Sequence, residues 1–228
     1  MKSQIDARLQ ELRTEYDAGV GVMNDLQKKQ DELRATLMRI SGAIQVIARS
    51  VPKDAPYAPV MARVEREIRR LDELVSDLLA FARPGAVRLQ RVELSDPVSA
   101  AAEWVREDHP EMEVVVEGTA TAQADANLVQ QIVLNLLQNA AQAMEGGRGH
   151  VLVTLRGSAI TVCDDGPGIP PELGDRVFEP FTTTKVRGTG LGLAICTRSA
   201  HAMGGTLELG KGRLPGACFT LELRPPVQ

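Results

Sequence analysis

The sequence predicts an α+β protein: a helical N-terminal third folded as a hairpin, followed by a compact domain of mixed strands and helices. Three observations carry this. First, residues 1–83 hold only three of the 20 glycines (Gly19, Gly21, Gly42) and three of the 13 prolines (Pro52, Pro56, Pro59) of the 228-residue chain. Second, a heptad runs from Ile5 to Val51. Third, from Val87 onward short β-rich runs alternate with amphipathic helical segments and Gly-rich turns.

The composition excludes several classes. Hydrophobic residues at 43% and charged residues at 25% are those of a folded globular chain, not a disordered or collagenous one. A net charge of −4 gives no field for bulk nucleic-acid binding. No run approaches the ~20 apolar residues of a membrane span, and no basic-then-apolar leader opens the chain. The three cysteines (Cys163, Cys196, Cys218) have no paired spacing. They read as small core residues of a protein in the reducing cytoplasm. His109, His150 and His201 read as loop, strand start and helix end, with no metal spacing.

The heptad positions alternate steps of four and three, and all but Gly19 and Gln30 are apolar or Tyr. Such a stripe is a coiled-coil seam that needs a partner to cover it. Pro52, Pro56 and Pro59 end the first helix and open a second. Val60, Val64, Ile68, Leu71, Val75, Leu78 and Ala82 continue the seam until Arg83-Pro84-Gly85. Two such hairpins close a four-helix bundle in a homodimer. The expected boundaries are 1–22 for an N-terminal coiled-coil helix, 23–84 for the dimerisation hairpin, and 87–228 for the second domain.

In that second domain Val92–Leu94 and Glu113–Val116 read as strands, and Pro97–Arg106 as a helix. Asn127–Met144 reads as a long helix opened by Asp125 and closed by Gly146-Gly147. Val151–Leu155 and Ala159–Cys163 form a hairpin through Arg156-Gly157-Ser158. Gly192–Met203 is a helix stopped by Gly204-Gly205, and Thr206–Leu209 pairs with Ala217–Leu223.

Four segments carry chemistry. Asn135 and Asn139 share one face of the long helix at i, i+4, so both amides must meet polar groups. Asp164-Asp165-Gly166-Pro167-Gly168 sets a carboxylate at a strand end before a rigid turn. Phe178-Glu179-Pro180-Phe181 precedes Thr182-Thr183-Thr184-Lys185, a hydroxyl and amine cluster suited to phosphate oxygens. Gly188-Thr189-Gly190-Leu191-Gly192 opens a helix, whose N-terminus favours an anion. A dinucleotide fingerprint is excluded there, because a polar loop precedes it and the glycine spacing is wrong.

In this order the four segments closely resemble the ATP-binding domain of sensor histidine kinases. That family is grouped with the ATPases of gyrase, heat-shock chaperones and mismatch-repair proteins. The resemblance implies an α/β-sandwich domain that takes ATP and Mg²⁺. It implies that Asn139 ligates the metal and that Asn135 supports the phosphate site. Asp164 would accept from the adenine amino group, with Gly166 and Gly168 beside the base. Phe178 and Phe181 would pack the lid, and Thr184 and Lys185 would lie near the phosphates. Gly188, Thr189, Gly190, Leu191 and Gly192 would cradle them.

The resemblance extends back to Arg70–Pro84, which is similar to the second dimerisation helix of nitrogen-regulation-type sensor kinases. Those kinases carry a phosphoaccepting His in His-Glu-x-x-Asn-Pro-Leu. Here the matching stretch is Asp31-Glu32-Leu33-Arg34-Ala35-Thr36-Leu37. Asp31 stands where His belongs, and Ala35-Thr36 replace Asn-Pro. Glu32 remains as the would-be proton acceptor. Asp31 is a poor nucleophile toward a triphosphate, since like charges repel, so self-phosphorylation on His is not expected. Two readings follow. One is a kinase-type phosphotransferase acting on a partner. The other is a nucleotide-gated pseudokinase pairing with a response regulator or a true kinase. Water-directed hydrolysis ranks low, because Asn135 occupies the position where the related ATPases carry their activating Glu.

Overall fold

The computed structural model describes residues 87–144, 148–183 and 189–226 without a break. Between 28 and 75 it describes residues 28, 32, 35–36, 39–40, 42–44, 46–47, 55, 57–61, 63–64, 66–68, 71 and 74–75. The chain divides into two units, residues 1–79 and 80–228.

In the first unit, every described position from 28 to 47 is helical, as is every one from 58 to 75. A bend at Ala55 and a turn at Tyr57 fall between them, among the three prolines. Helix restarts there, with Ala58 N donating to Ala55 O at 2.9 Å and Met61 N to Tyr57 O at 3.0 Å. Asp31 lies outside the described residues, and so does every heptad position before Ile40.

The second unit is one six-stranded sheet carrying helices. The elements are β1 (Gln90–Glu93), α1 (Ser95–Asp108), β2 (Met112–Ala124), α2 (Ala126–Ala143), β3 (Gly149–Gly157), β4 (Ala159–Asp164), a 3-10 turn (Gly174–Phe178), α3 (Gly192–Ala202), β5 (Thr206–Leu209) and β6 (Cys218–Glu222). Strand order is β1-β2-β3-β4-β6-β5. Only β2 and β3 are parallel, and α2 is the crossover between them. Burial alternates along β2, β3 and β4, the signature of a sheet with helices on one face and solvent on the other.

The helices pack as α1 on α2 and α2 on α3. From α1, Val98, Ala101, Ala102 and Val105 point inward; from α2, Val129, Ile132, Val133, Leu136 and Leu137. They meet Val151, Val153, Ile160 and Leu221 of the sheet in one core. Asp125 caps α2 as expected: Oδ1 accepts from Asn127 N at 3.0 Å and from Leu128 N at 3.4 Å. Its Oδ2 also accepts from Arg88 N at 2.9 Å, tying the start of the domain to this helix end.

β2 differs from its expected length. The strand continues to Ala124 through Thr119-Ala-Thr-Ala-Gln-Ala, a small-residue run with weak intrinsic β preference. Pairing supplies what propensity lacks. Residues 112–120 lie against β3 and residues 121–124 against β1.

Candidate functional site

The end of β4 carries a nearly buried carboxylate. Asp164 is 6% exposed. Its Oδ1 accepts from Gly166 N at 2.9 Å and from Ala217 N at 3.0 Å. Its backbone N–H donates to Ala217 O, and its backbone O accepts from Gly216 N, each at 2.9 Å. The carboxylate is therefore oriented by main-chain groups of two separate segments. Gly216 has no room for a side chain: a Cβ there would run into Asp164 Oδ1 and come within 2.7 Å of Gly166 N. Past the turn, Gly168 has φ 75°, a left-handed conformation that favours glycine.

The next residue is built differently. Asp165 Oδ1 accepts from His150 N at 2.9 Å, and its Oδ2 lies 2.8 Å from His150 Nδ1. His150 Nε2 lies 3.3 Å from Glu113, its cross-strand neighbour on β2. The hydrogen bond to Asp165, then the charges of Asp165 and Glu113, raise the His150 pKa, with desolvation opposing. The His150 backbone N–H, chiefly, lowers that of Asp165. The pair ties β3 to the turn after β4.

On the helical side, Asn135 Nδ2 donates to Gly192 O at 3.3 Å. A Cβ on Gly192 would approach Asn135 Oδ1 to 2.6 Å, so the amide occupies the space the glycine leaves. Asn139 is half-buried one turn further along α2. The start of α3 has no side-chain cap from Leu191, which is itself 1% exposed. Thr189 Oγ1 accepts from Leu191 N at 3.1 Å.

Between these parts runs the segment with the two Phe. Phe178 ends the 3-10 turn and packs edge-on against Phe219 of β6, with ring centroids 6.1 Å apart. Phe181 is 67% exposed with φ 66°, so only Phe178 of the expected aromatic pair packs. The Phe181 backbone is used instead, its N–H donating to Gly190 O at 2.9 Å. A Cβ on Gly190 would come within 2.6 Å of Phe181 C, and Gly190 has φ 67°. Thr184, Lys185 and Gly188 lie outside the described residues.

The cysteine expectation is corrected. Cys163 and Cys218 form a disulfide, and Cys196 is a buried cysteine outside it. They face each other across β4 and β6, with Cα atoms 4.1 Å apart. Asp164 and Ala217 beside them are hydrogen-bonded, so the cysteines take the non-hydrogen-bonded position, where side chains come closest. A separation of 55 residues gave no hint of this, because it follows from strand register. Gly216 and Ala217 were likewise missed, since nothing in Leu-Pro-Gly-Ala-Cys-Phe marks them as partners of Asp164.

The residues present fit a purine nucleotide. A buried, oriented carboxylate stands at a strand end beside glycines that leave the turn open. The helix end of α3 lacks a side-chain cap, an arrangement that suits an anion. Among the described residues no cluster of three or more His, Cys, Asp or Glu could hold a metal.

Residues 124–227 match the family described as histidine kinase-, DNA gyrase B-, and HSP90-like ATPases. The chain is 33% identical over 201 residues to the sensor histidine kinase ZraS of Escherichia coli K12, across 84% of this chain and 43% of that protein. Among solved structures, full-length ShkA in complex with AMPPNP superposes with a TM-score of 0.71 at 28% identity, covering 90% of this chain and 46% of that one. The mycobacterial sensor histidine kinase MprB superposes with a TM-score of 0.54 at 30% identity, covering 60% of this chain and 99% of that one. The chain belongs to the histidine kinase-like ATPase family, as a transmitter module of the sensor-kinase kind. It spans less than half the length of ZraS. No helix among the described residues is long and apolar enough to cross a membrane.

Proposed function

We propose that this chain binds Mg-ATP in its second unit and works as a phosphotransferase whose acceptor lies on a partner protein. The observation that carries the binding reading is Asp164. A nearly buried carboxylate, oriented by the amides of Gly166 and Ala217, is a rigid acceptor for an exocyclic amine. Gly166 and Gly168 leave the turn open to a flat base. The uncapped start of α3 offers backbone N–H groups to phosphates, with Asn135 fixing that helix end through Gly192. Thr189, Gly190 and Leu191 set the approach to it. Asn139 is the residue that would ligate Mg²⁺, which supplies charge neutralisation across the phosphates when bound. Thr184, Lys185 and Gly188 are assigned to the phosphate side by resemblance alone.

Residues 23–84 are proposed as a dimerisation hairpin, preceded by a coiled-coil helix over 1–22 and followed by the ATP-binding domain over 87–228. Seam residues Ile40, Ile47, Val60, Val64 and Leu71 are all exposed in the single chain, which supports a second copy covering them. The hairpin supports loss of the acceptor as well. Thr36 stands where the related kinases have Pro, and its Oγ1 bonds Glu32 O at 2.8 Å, a bond within one helical turn. A Pro there would crowd that same carbonyl and bend the helix. With Asp31 in place of His, the phosphoryl group has no imidazole to receive it at the acceptor position of the hairpin. ZraS and MprB are sensor histidine kinases by name. A kinase of that type or its response regulator is the partner proposed here. Asp31 also favours a second reading, in which ATP binding gates a partner without any transfer.

Radiolabelled ATP tests both levels. The expected result is saturable Mg²⁺-dependent binding, no acid-labile label on this chain, and label on a cognate partner. Asp164→Asn keeps shape but removes the charged acceptor, and should weaken ATP by about 1.5–3 kcal/mol, roughly ten- to a hundredfold. Asn139→Ala should remove the Mg²⁺ dependence. Unchanged affinity in both variants would overturn the site, and acid-labile label on this chain alone would overturn the reading of Asp31.

A further inference from the structure

We propose that Cys163 and Cys218 form a thiol–disulfide site whose oxidation state sets how firmly the Asp164 carboxylate is held. The oxidant is a low-molecular-weight disulfide of the glutathione class.

The argument rests on placement. Each cysteine is the immediate chain neighbour of a residue in the Asp164 network: Cys163 precedes Asp164, and Cys218 follows Ala217. Two of the bonds that orient Asp164 cross between those same strands, Asp164 N to Ala217 O and Ala217 N to Asp164 Oδ1. A covalent link one residue away fixes the strand separation on which both depend. Two separate thiols are not bonded and need van der Waals separation, and strand ends that move apart to give it loosen the Asp164–Ala217 contact.

The segment over the sulfurs belongs to the same unit. Residues 210–217 connect β5 to β6 and cover the disulfide with Gly212, where a Cβ would run into both sulfur atoms. This roof is held at one end by Gly210 N donating to Cys218 O at 2.8 Å, and at the other by Gly216 N donating to Asp164 O. The exposed ion pair of Arg213 with Glu117, at 2.6 Å, ties its middle to β2. Both sulfurs are buried, so exchange requires this roof to lift. The segment that admits the oxidant is therefore the one that carries Gly216 and Ala217 to Asp164.

The chemistry balances with one co-reactant. A thiolate of the pair attacks one sulfur of the small disulfide and expels one small thiolate, leaving a mixed disulfide. The second cysteine thiolate attacks the protein-side sulfur, forming the Cys163–Cys218 bond and expelling the second small thiolate. Two electrons pass from the pair to the small disulfide, and the two thiol protons end on the released thiols.

The nucleotide part of this proposal rests on the Mg-ATP reading, so the test has an arm independent of nucleotide. The full chain is equilibrated in buffers of reduced or oxidised glutathione. Disulfide content is read by intact mass after thiol alkylation. Amide hydrogen exchange is then read at Gly166 and Ala217, and Mg-ATP affinity is measured in each state. The expected result is a disulfide in the oxidised buffer, slower exchange at both amides, and ATP binding about three- to tenfold tighter, as preorganisation of a binding group produces. Cys163→Ala and Cys218→Ala should each abolish the redox response, while Cys196→Ala keeps it. Free thiols at both positions in oxidised buffer would overturn the proposal. So would a disulfide that leaves the Gly166 and Ala217 amides unchanged. A redox shift in those amides without ATP binding in either state would leave this site standing and remove the Mg-ATP reading instead.

Discussion

The two ends of the candidate site are held by different forces. At the β4–β6 end, Asp164 is fixed by main-chain groups of two segments, with Gly166 and Gly216 close against its Oδ1. At the α2–α3 end, one side-chain amide reaches one carbonyl at 3.3 Å, and the helix start is left without a side-chain cap. The first end is rigid because a sheet interior determines it. The second is adjustable because it hangs on a helix terminus and a long polar side chain. The contrast suits a ligand with a flat recognition element at one end and flexible charged groups at the other.

Gly216→Ala attacks the rigid end and should have the largest effect. The added methyl has to displace Asp164 or Gly166, so about 1–3 kcal/mol of stability should be lost, as overpacking costs. ATP affinity should fall with it. Chemical denaturation and ligand titration check this, and an unchanged midpoint and affinity would mean the turn adjusts after all. Asn135→Ala probes the adjustable end and should do less. It removes one hydrogen bond worth about 1 kcal/mol, giving roughly fivefold weaker ATP binding with the fold intact. If Asn135→Ala proves worse than Gly216→Ala, the contrast between the ends is reversed.

Asp165→Asn should have the smallest effect and shows itself chiefly in pH dependence. The His150 pKa is raised in the folded protein. Its contribution is therefore complete below the ordinary imidazole value of 6.5 and is lost as pH rises through the raised one. The Asp165 pKa is lowered, so its contribution is complete above the ordinary 3.8 and is lost as pH falls through the lowered one. Together they support the fold most between those two ordinary values. In Asp165→Asn the His150 titration, followed by NMR, should move down toward its ordinary position, and the stability profile should flatten across that window. An unmoved His150 titration would place the cause in Glu113 instead.

Much of the second unit was legible because its signals are local. Asp125 reads as a cap from its place before an apolar-periodic run, and Thr206–Leu209 reads as a strand from its turn signals and alternation. Asn135, Asp164 and the glycines stood out as polar or small residues where packing alone would favour others. The far half of β2 was not legible, since Thr119–Ala124 is a strand only by virtue of neighbours on both sides. Phe181, assigned to the lid by the resemblance, is 67% exposed with φ 66°, a backbone conformation the sequence does not announce.

By itself the sequence determined the family, the two-part organisation and the identity of the polar groups, because periodicity, capping and motif order are written in consecutive residues. The proposal that Asp31 stands in the place of a phosphoaccepting histidine likewise rests on residue identity. The tertiary structure alone decided that Cys163 faces Cys218, that Gly216 and Ala217 hold Asp164, and that His150 joins Asp165 to Glu113. Each of these depends on strand register. A shift of one residue turns every side chain of a strand to the opposite face, and register is set by the packing of the whole sheet.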